Sequence, residues 1–364
     1  MCAGVESAIH ADKPIKRMPI VVSLVRLSSK ETMAIRNIDN SIELFEAGGW
    51  FVGEYRESWP PVTVDRYVSG DGVGTRAERD DLLCRADIII AGFPFPLDLC
   101  ARSPRLKWMH QTPAGASNLR RGDLWDSEVI VTTSRGYGET TAIAEYTIAG
   151  FLHFGKGFDR AIVDRDRGFF DRSIYGVRSV EKKTLCVVGA GGIGREVARL
   201  GRAFGMRTFG TRGATPVDLE DPDFDRIGGP ESLLEFLSEA DYVVVSCQWT
   251  DETTDLFDEQ AFSAMKKHAV LVNVARGEII SESALIAALD TGHLRGAVLD
   301  VFVGEFEAPP PPRLWQHPKI LITPHTSAHT DESRRRSTEL FCENLRRFLN
   351  DEPLENRVDW STGY

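Results

Sequence analysis

Seven short apolar runs punctuate the chain, at residues 20–24, 87–91, 184–188, 242–246, 270–274, 297–301 and 320–323. They are rich in Val and Ile and show no alternation of apolar with polar, the pattern of parallel strands covered on both faces. Between them apolar positions return at helical spacing. Ile193, Val197, Leu200 and Phe204 fall at steps of four, three and four, with Gly205 placed to end that helix. Another helix is predicted over 282–291, with Ser281 as N-cap and Gly292 just beyond its end. Longer helical patterns occupy about 140–158 and 332–349, the second with Leu340, Phe341, Leu345, Phe348 and Leu349 on one side. Strand and helix alternate, so the class is α/β.

Acidic and basic residues crowd between Lys156 and Lys183, and a fresh βαβ pattern starts at Thr184. The final helical pattern follows the last strand and is expected to return to the N-terminal part. The expected organisation is a central domain, residues 143–328, inserted in a discontinuous domain formed by residues 1–142 and 329–364. No internal repeat of solenoid period is present.

A length of 364 residues supports this division, at roughly 150 residues per domain. Apolar residues at 42% and charged residues at 27% argue against a disordered or coiled-coil chain. The net charge of −11, without any long Lys/Arg block, argues against nucleic acid or an anionic membrane as partner. Residues 1–17 carry Glu6 and Asp12 and lack an apolar core, and no run approaches a membrane span, so the cytoplasm is the expected compartment. Six cysteines lie far apart with no Cys-x-x-Cys pair; neither a disulfide framework nor a zinc knuckle is indicated, and the thiols are expected to be reduced and mostly buried.

Candidate chemistry begins at Thr184-Leu-Cys-Val-Val-Gly-Ala-Gly-Gly-Ile-Gly-Arg, which sets Gly189, Gly191 and Gly194 in a G-x-G-x-x-G pattern between a buried strand and an amphipathic helix. Gly189 would permit a tight turn, Gly191 would let the backbone approach a pyrophosphate, and Gly194 would let the helix close on the strand. With Gly192 and Ile193 they form the helix N-terminus, where unpaired N–H groups and the helix dipole favour an anion. An acidic residue about 18 to 20 positions on would accept from the ribose 2′-hydroxyl of NAD. Here that place holds Arg212, after Thr211. A guanidinium donates to a 2′-phosphate, which favours NADP; an arginine pointing into solvent would admit NAD as well.

Three further segments end predicted strands, on the edge where open α/β sheets bind ligands. They are Asn273-Val-Ala-Arg-Gly with Arg276, Ala297-Val-Leu-Asp-Val-Phe-Val-Gly-Glu with Glu305, and Thr323-Pro-His-Thr with His325. Arg276 and Glu305 stand 29 residues apart. In this Arg, Glu, Pro-His arrangement the chain resembles the D-isomer-specific 2-hydroxyacid dehydrogenases, close to glyoxylate and hydroxypyruvate reductases. The resemblance covers about residues 106–349.

That resemblance implies two Rossmann-like domains, the dinucleotide-binding doubly wound sheet being inserted in a flavodoxin-like substrate domain. It implies hydride transfer between NADP (NAD being possible) and C2 of a small 2-keto or 2-hydroxy acid, in a chain commonly found as a homodimer. Arg276 would bind the substrate carboxylate and carbonyl, His325 would pass a proton to or from the substrate oxygen, and Glu305 would hold the imidazole and favour its protonated form. The segment from Leu106 to Gly115 matches the substrate loop, whose backbone N–H groups at Ala114 and Gly115 would meet the carboxylate. Cys247, Gln248, Val274, Ala275 and Asp300 fall at cofactor-side positions. Phe306 replaces the usual proline after the glutamate, Gln248 stands where many members have proline, and residues 309–312 are all proline.

Two other readings fit the same fold: a dinucleotide-sensing regulatory protein, and a dehydrogenase of formate or phosphite. His325 and His329 have the spacing of a helical metal pair, but Pro324 disfavours that helix and no carboxylate accompanies them, so no metal is expected. His110, His153 and His293 read as structural, and Trp249 and Trp315 as core.

Overall fold

The computed structural model describes residues 19–137, 139–213 and 221–360; the stretch considered for targeting signals, Cys2 and the outermost ends of the expected substrate domain lie outside them. Two sheets organise the chain. The first comprises β1 (Ile20–Ser23), β2 (Glu43–Glu46), β3 (Ile88–Ala91), β4 (Trp108–Gln111) and β5 (Ile130–Thr133), in the order 2-1-3-4-5. The second comprises β6 (Thr184–Val188), β7 (Arg207–Thr211), β8 (Arg226–Gly228), β9 (Tyr242–Val245), β10 (Val270–Asn273), β11 (Gly296–Leu299) and β12 (Ile320–Ile322), in the order 12-11-10-9-6-7-8. All the pairings are parallel. The first order is flavodoxin-like; the second is doubly wound, reversing direction between β6 and β9, where such sheets open a crevice for ligands.

The unbroken apolar runs follow from burial on both faces. On β9, Val243 and Val245 enter one core while Tyr242 and Val244 enter the opposite one; on β3, Ile89 and Ala91 are separated in the same way from Ile88 and Ile90. All seven predicted runs are strands. Strands β2, β4, β5, β7 and β8 lie outside those runs. In β4 the signal is masked by His110 and Gln111, which are polar yet wholly buried. The imidazole Nδ1 lies 2.9 Å from Thr132 Oγ1, and the Gln111 amide exchanges hydrogen bonds with Asn118 and donates to the Gly115 carbonyl.

The glycine-loop helix, Gly192–Ala203, stops before Gly205, which takes a φ of 75°. The helix predicted over 282–291 is Glu282–Asp290; Ser281 occupies its N-cap position without capping it, its hydroxyl lying 3.2 Å from that of Ser283. The pattern at 140–158 is one helix, Glu139–Gly155, broken at Gly157 from a second, Phe158–Asp166. The stretch of crowded charges after Lys156 is therefore partly helical. Ile143, Ile148, Phe151 and Phe154 press the first of these helices onto the second sheet.

The last helix, Ser333–Leu349, returns to the first sheet. Phe341 stacks on Trp108 with ring centres 5.1 Å apart, Phe348 follows at 5.7 Å, and the hydroxyls of Ser337 and Ser134 meet at 2.7 Å. Of the five described cysteines, all free, only Cys186 and Cys342 are buried, and Cys84 is exposed; "mostly buried" was too strong an expectation for scattered thiols. Trp249 and Trp315 are surface residues rather than core, 37% and 60% exposed. No described helix is long and apolar enough to cross a membrane.

Candidate active site

The turn after β6 is built around two close approaches. Gly189 has a φ of 104° and lies against the main chain of Cys247, and a Cβ on Gly194 would strike the Gly189 carbonyl. The N–H groups of Gly189 and Ala190 both donate to the Thr211 carbonyl, at 3.1 and 2.8 Å. Over Gly191, by contrast, a Cβ would meet nothing within 4 Å. The helix beginning at Gly192, followed by Ile193, has no side chain capping its N-terminus. Open space beside uncapped amides fits a dinucleotide pyrophosphate.

Thr211 is buried and Arg212 exposed at the end of β7. The Arg212 guanidinium has no hydrogen-bond partner among the described residues, and its charge acts on Asp221, whose carboxylate is held by Arg195. After β9, Gln248 is exposed and Cys247 half-buried, its thiol pushed up to about 12 by burial. Val274 and Ala275 are buried in the turn after β10.

That turn presents Arg276. Asn273 shapes it, accepting from the Ala275 N–H at 3.0 Å and donating to the Arg276 carbonyl at 2.8 Å. The guanidinium reaches across to the first sheet's loop, where Nε and Nη2 donate to Ser117 Oγ at 3.2 and 3.1 Å. It presses so closely on Gly115 that a Cβ there would collide with Nη2. The N–H groups of Ala114 and Gly115 have no partner among the described residues. Burial pushes the Arg276 pKa down, and the carboxylates of Glu305 and Glu278 oppose that shift. A guanidinium beside two free amides is a site for a small anion.

Glu305 is buried, and both its carboxylate oxygens lie 3.1 Å from Nδ1 of His325. His325 takes a φ of 56° and donates its N–H to the carbonyls of Asp300 and Thr323, both at 3.0 Å. Asp300 lies behind this turn. Its Oδ1 accepts from the Thr323 hydroxyl at 2.6 Å and the Thr326 N–H at 2.7 Å, and its Oδ2 from the Ser327 N–H at 2.9 Å. The resemblance places Asp300 on the cofactor side; its carboxylate is committed to the loop that carries His325.

Several contributors lie in segments that the sequence does not single out. Thr63 donates to the carbonyl of Phe306, and Arg66 Nη1 to that of Glu305 at 3.3 Å. Phe93 packs on Phe306 with ring centres 5.0 Å apart, and Phe306 stands 6.0 Å from the His325 ring. Ser117 was within reach of sequence reasoning, two positions beyond Gly115; nothing local marks Arg66 or Phe93. His329 is exposed, and no group of three or more His, Cys, Asp or Glu among the described residues could hold a metal ion. His110 is buried, burial lowering its pKa to about 3, and His293 Nε2 lies 2.8 Å from the Met265 carbonyl.

The family model for the D-isomer specific 2-hydroxyacid dehydrogenase, NAD binding domain, matches residues 148–327. A glyoxylate reductase of Aeropyrum pernix is 32% identical over 275 residues, 72% of this chain and 79% of that protein. The D-3-phosphoglycerate dehydrogenase of Bacillus subtilis is 32% identical over 263 residues, 72% of this chain and 49% of the relative. The chain thus spans about half the length of the phosphoglycerate dehydrogenases it matches. Among solved structures, a D-isomer specific 2-hydroxyacid dehydrogenase from Xanthobacter autotrophicus Py2, in complex with NADPH and MES, superposes with a TM-score of 0.74 at 24% identity, covering 95% of this chain and 100% of that one. Sheet order, glycine turn and a relative matched over nearly four-fifths of its length agree, and the chain belongs to the D-isomer-specific 2-hydroxyacid dehydrogenase family.

Proposed function

We propose that this chain is an NADPH-dependent reductase of small 2-keto acids, acting reversibly on the corresponding 2-hydroxy acids, with glyoxylate and hydroxypyruvate as the first substrates to assay. The observation that carries the reading is that Arg276 lies against Gly115, beside the free amides of Ala114 and Gly115, and in the field of Glu305, which holds His325. Arg276 and the two amides bind the substrate carboxylate, and Arg276 also polarises the C2 carbonyl. His325 gives its proton to the developing alkoxide through Nε2, since Nδ1 is occupied by Glu305. Glu305 fixes the ring and stabilises the imidazolium. The dinucleotide supplies hydride chemistry when bound; Gly191, Gly192, Ile193 and Gly194 hold its pyrophosphate, and Arg212 meets a 2′-phosphate. On this reading residues 143–328 form the cofactor domain, and the substrate lies in the cleft facing the domain of residues 1–142 and 329–364.

Oxidation of NADPH and NADH, followed by absorbance with a panel of 2-keto acids, tests the proposal. Turnover is expected, with NADPH preferred. Dinucleotide binding without turnover of any keto acid would favour a regulatory protein instead. A homodimer also fits: Phe158, Ile162, Phe169, Phe170 and Val177 leave a run of exposed apolar side chains on one segment, and Phe170→Asp should then shift the sedimentation coefficient towards that of a monomer.

A further inference from the structure

We infer that the preferred substrate carries a second anionic group, remote from its 2-keto carboxylate, and that Arg66 receives it. This rests on the 2-ketoacid reading above and narrows it. Arg66 stands in the last turn of the Pro61–Tyr67 helix and reaches over to the Glu305 carbonyl. One residue, Glu305, therefore separates it from His325. Its neighbour Tyr67 lies in the field of Arg66, Glu305 and Asp300 together, with burial raising the phenol's pKa.

A row of rings connects this pair to the imidazole. Tyr67 meets Phe93 edge-on at 5.1 Å, Phe93 meets Phe306 at 5.0 Å, and Phe306 stands 6.0 Å from His325. A keto acid held by Arg276 would lay its chain along these rings and bring its far end to Arg66 and Tyr67. The rings alone would suit an apolar side chain; Arg66 decides against it.

Among the described residues Arg66 makes no ion pair, its polar contacts being the Glu305 carbonyl and the Tyr67 phenol. Arg121, which also contacts the loop after Glu305, is neutralised by Glu307 at 2.6 Å. In a chain with net charge −11, a half-buried guanidinium without an ion-pair partner among the described residues is open to an incoming anion. A planar fork suits a carboxylate, phosphate or sulfonate equally, so the tail is defined by charge rather than by its central atom.

The test compares kcat/KM for 2-ketobutyrate, which has an uncharged tail, with oxaloacetate, 3-phosphohydroxypyruvate and 3-sulfopyruvate, in the wild type and in Arg66→Gln and Arg66→Lys. At least one dianion should exceed 2-ketobutyrate by tenfold or more, and which one identifies the tail. Arg66→Gln should cut that ratio at least tenfold, mainly through KM, and Arg66→Lys should restore part of it. A wild type preferring 2-ketobutyrate overturns the inference. So does an Arg66→Gln variant that loses the same factor in kcat for every substrate, which would make Arg66 only a brace for Glu305. Failure of the wild type to turn over any 2-keto acid overturns the parent reading, and this one with it.

Discussion

His325 faces Glu305 with Nδ1 equidistant from the two carboxylate oxygens, 3.1 Å from each, and leaves Nε2 without a partner among the described residues. The glutamate thereby fixes the tautomer in which the nitrogen facing the cleft is the one that exchanges a proton. The ring is fixed from behind as well, by a left-handed backbone anchored on Asp300.

Glu305→Gln keeps the shape of that pair and removes its charge. A neutral amide stabilises imidazolium far less, so kcat for keto-acid reduction should fall by about ten- to a thousandfold, while KM changes little. Steady-state kinetics decides; a kcat within twofold of wild type would show that the pairing serves packing alone.

Arg276→Ala removes the clamp on the carboxylate. A charge-assisted hydrogen bond contributes about 1.5–3 kcal/mol, so kcat/KM should drop at least about tenfold for every keto acid. Arg276→Lys should not restore it, because an ammonium cannot reproduce the fork that also meets Ser117.

Asp300→Asn tests the support of the histidine. The carboxylate accepts three hydrogen bonds, and an amide nitrogen in place of either oxygen would point a donor at a donor. Melting temperature and kcat should both fall, kcat by about tenfold or more, with dinucleotide affinity measured by fluorescence titration changing less. The reverse pattern, weak dinucleotide binding with unchanged stability, would return Asp300 to the cofactor.

Arg212→Asp should reverse the cofactor preference. One or two charge-assisted bonds to a 2′-phosphate amount to a preference for NADPH of about ten- to a hundredfold in kcat/KM, and a carboxylate would repel that phosphate while accepting from a ribose hydroxyl. Equal use of NADH and NADPH by the wild type would show that the exposed guanidinium contacts neither.

Acid stability follows from His110. Buried among β4, β5 and the last helix, it titrates at about 3, far below the ordinary histidine, because burial penalises its charged form. Between about pH 6.5 and pH 3 the unfolded chain holds one proton more at this position, so stability falls as pH falls, by up to about 1.4 kcal/mol per pH unit. Urea unfolding of His110→Asn between pH 7 and 5 should show a shallower decline than wild type; identical slopes would dismiss the assignment.

The strands that carry both cores were legible because burial on two faces leaves an unbroken apolar run. The glycine turn was legible because its backbone tolerates only one residue type at Gly189 and Gly194. Strand β4 was not, since His110 and Gln111 look solvent-facing until Thr132 and Asn118, supplied from elsewhere, satisfy them. Arg276, Glu305 and His325 stood out by spacing within one domain. Arg66, Tyr67 and Phe93 did not, because they reach the same place from the other domain and no local pattern records which loop will face them. Asp300 was legible in position but not in orientation, the direction of a carboxylate being set by the turn that folds around it.

The return of the Ser333–Leu349 helix to Trp108 has a consequence for synthesis. Strands β1 to β5 emerge from the ribosome before the second sheet, and the Phe341 and Phe348 rings that close over Trp108 only after it is finished. At about 5–20 residues per second the uncovered face waits on the order of 10–40 s, during which the second sheet, contiguous in sequence, can fold to completion. The first sheet, though made before the second, thus closes its core after it, and its open Trp108 face is where a nascent-chain chaperone would find apolar surface.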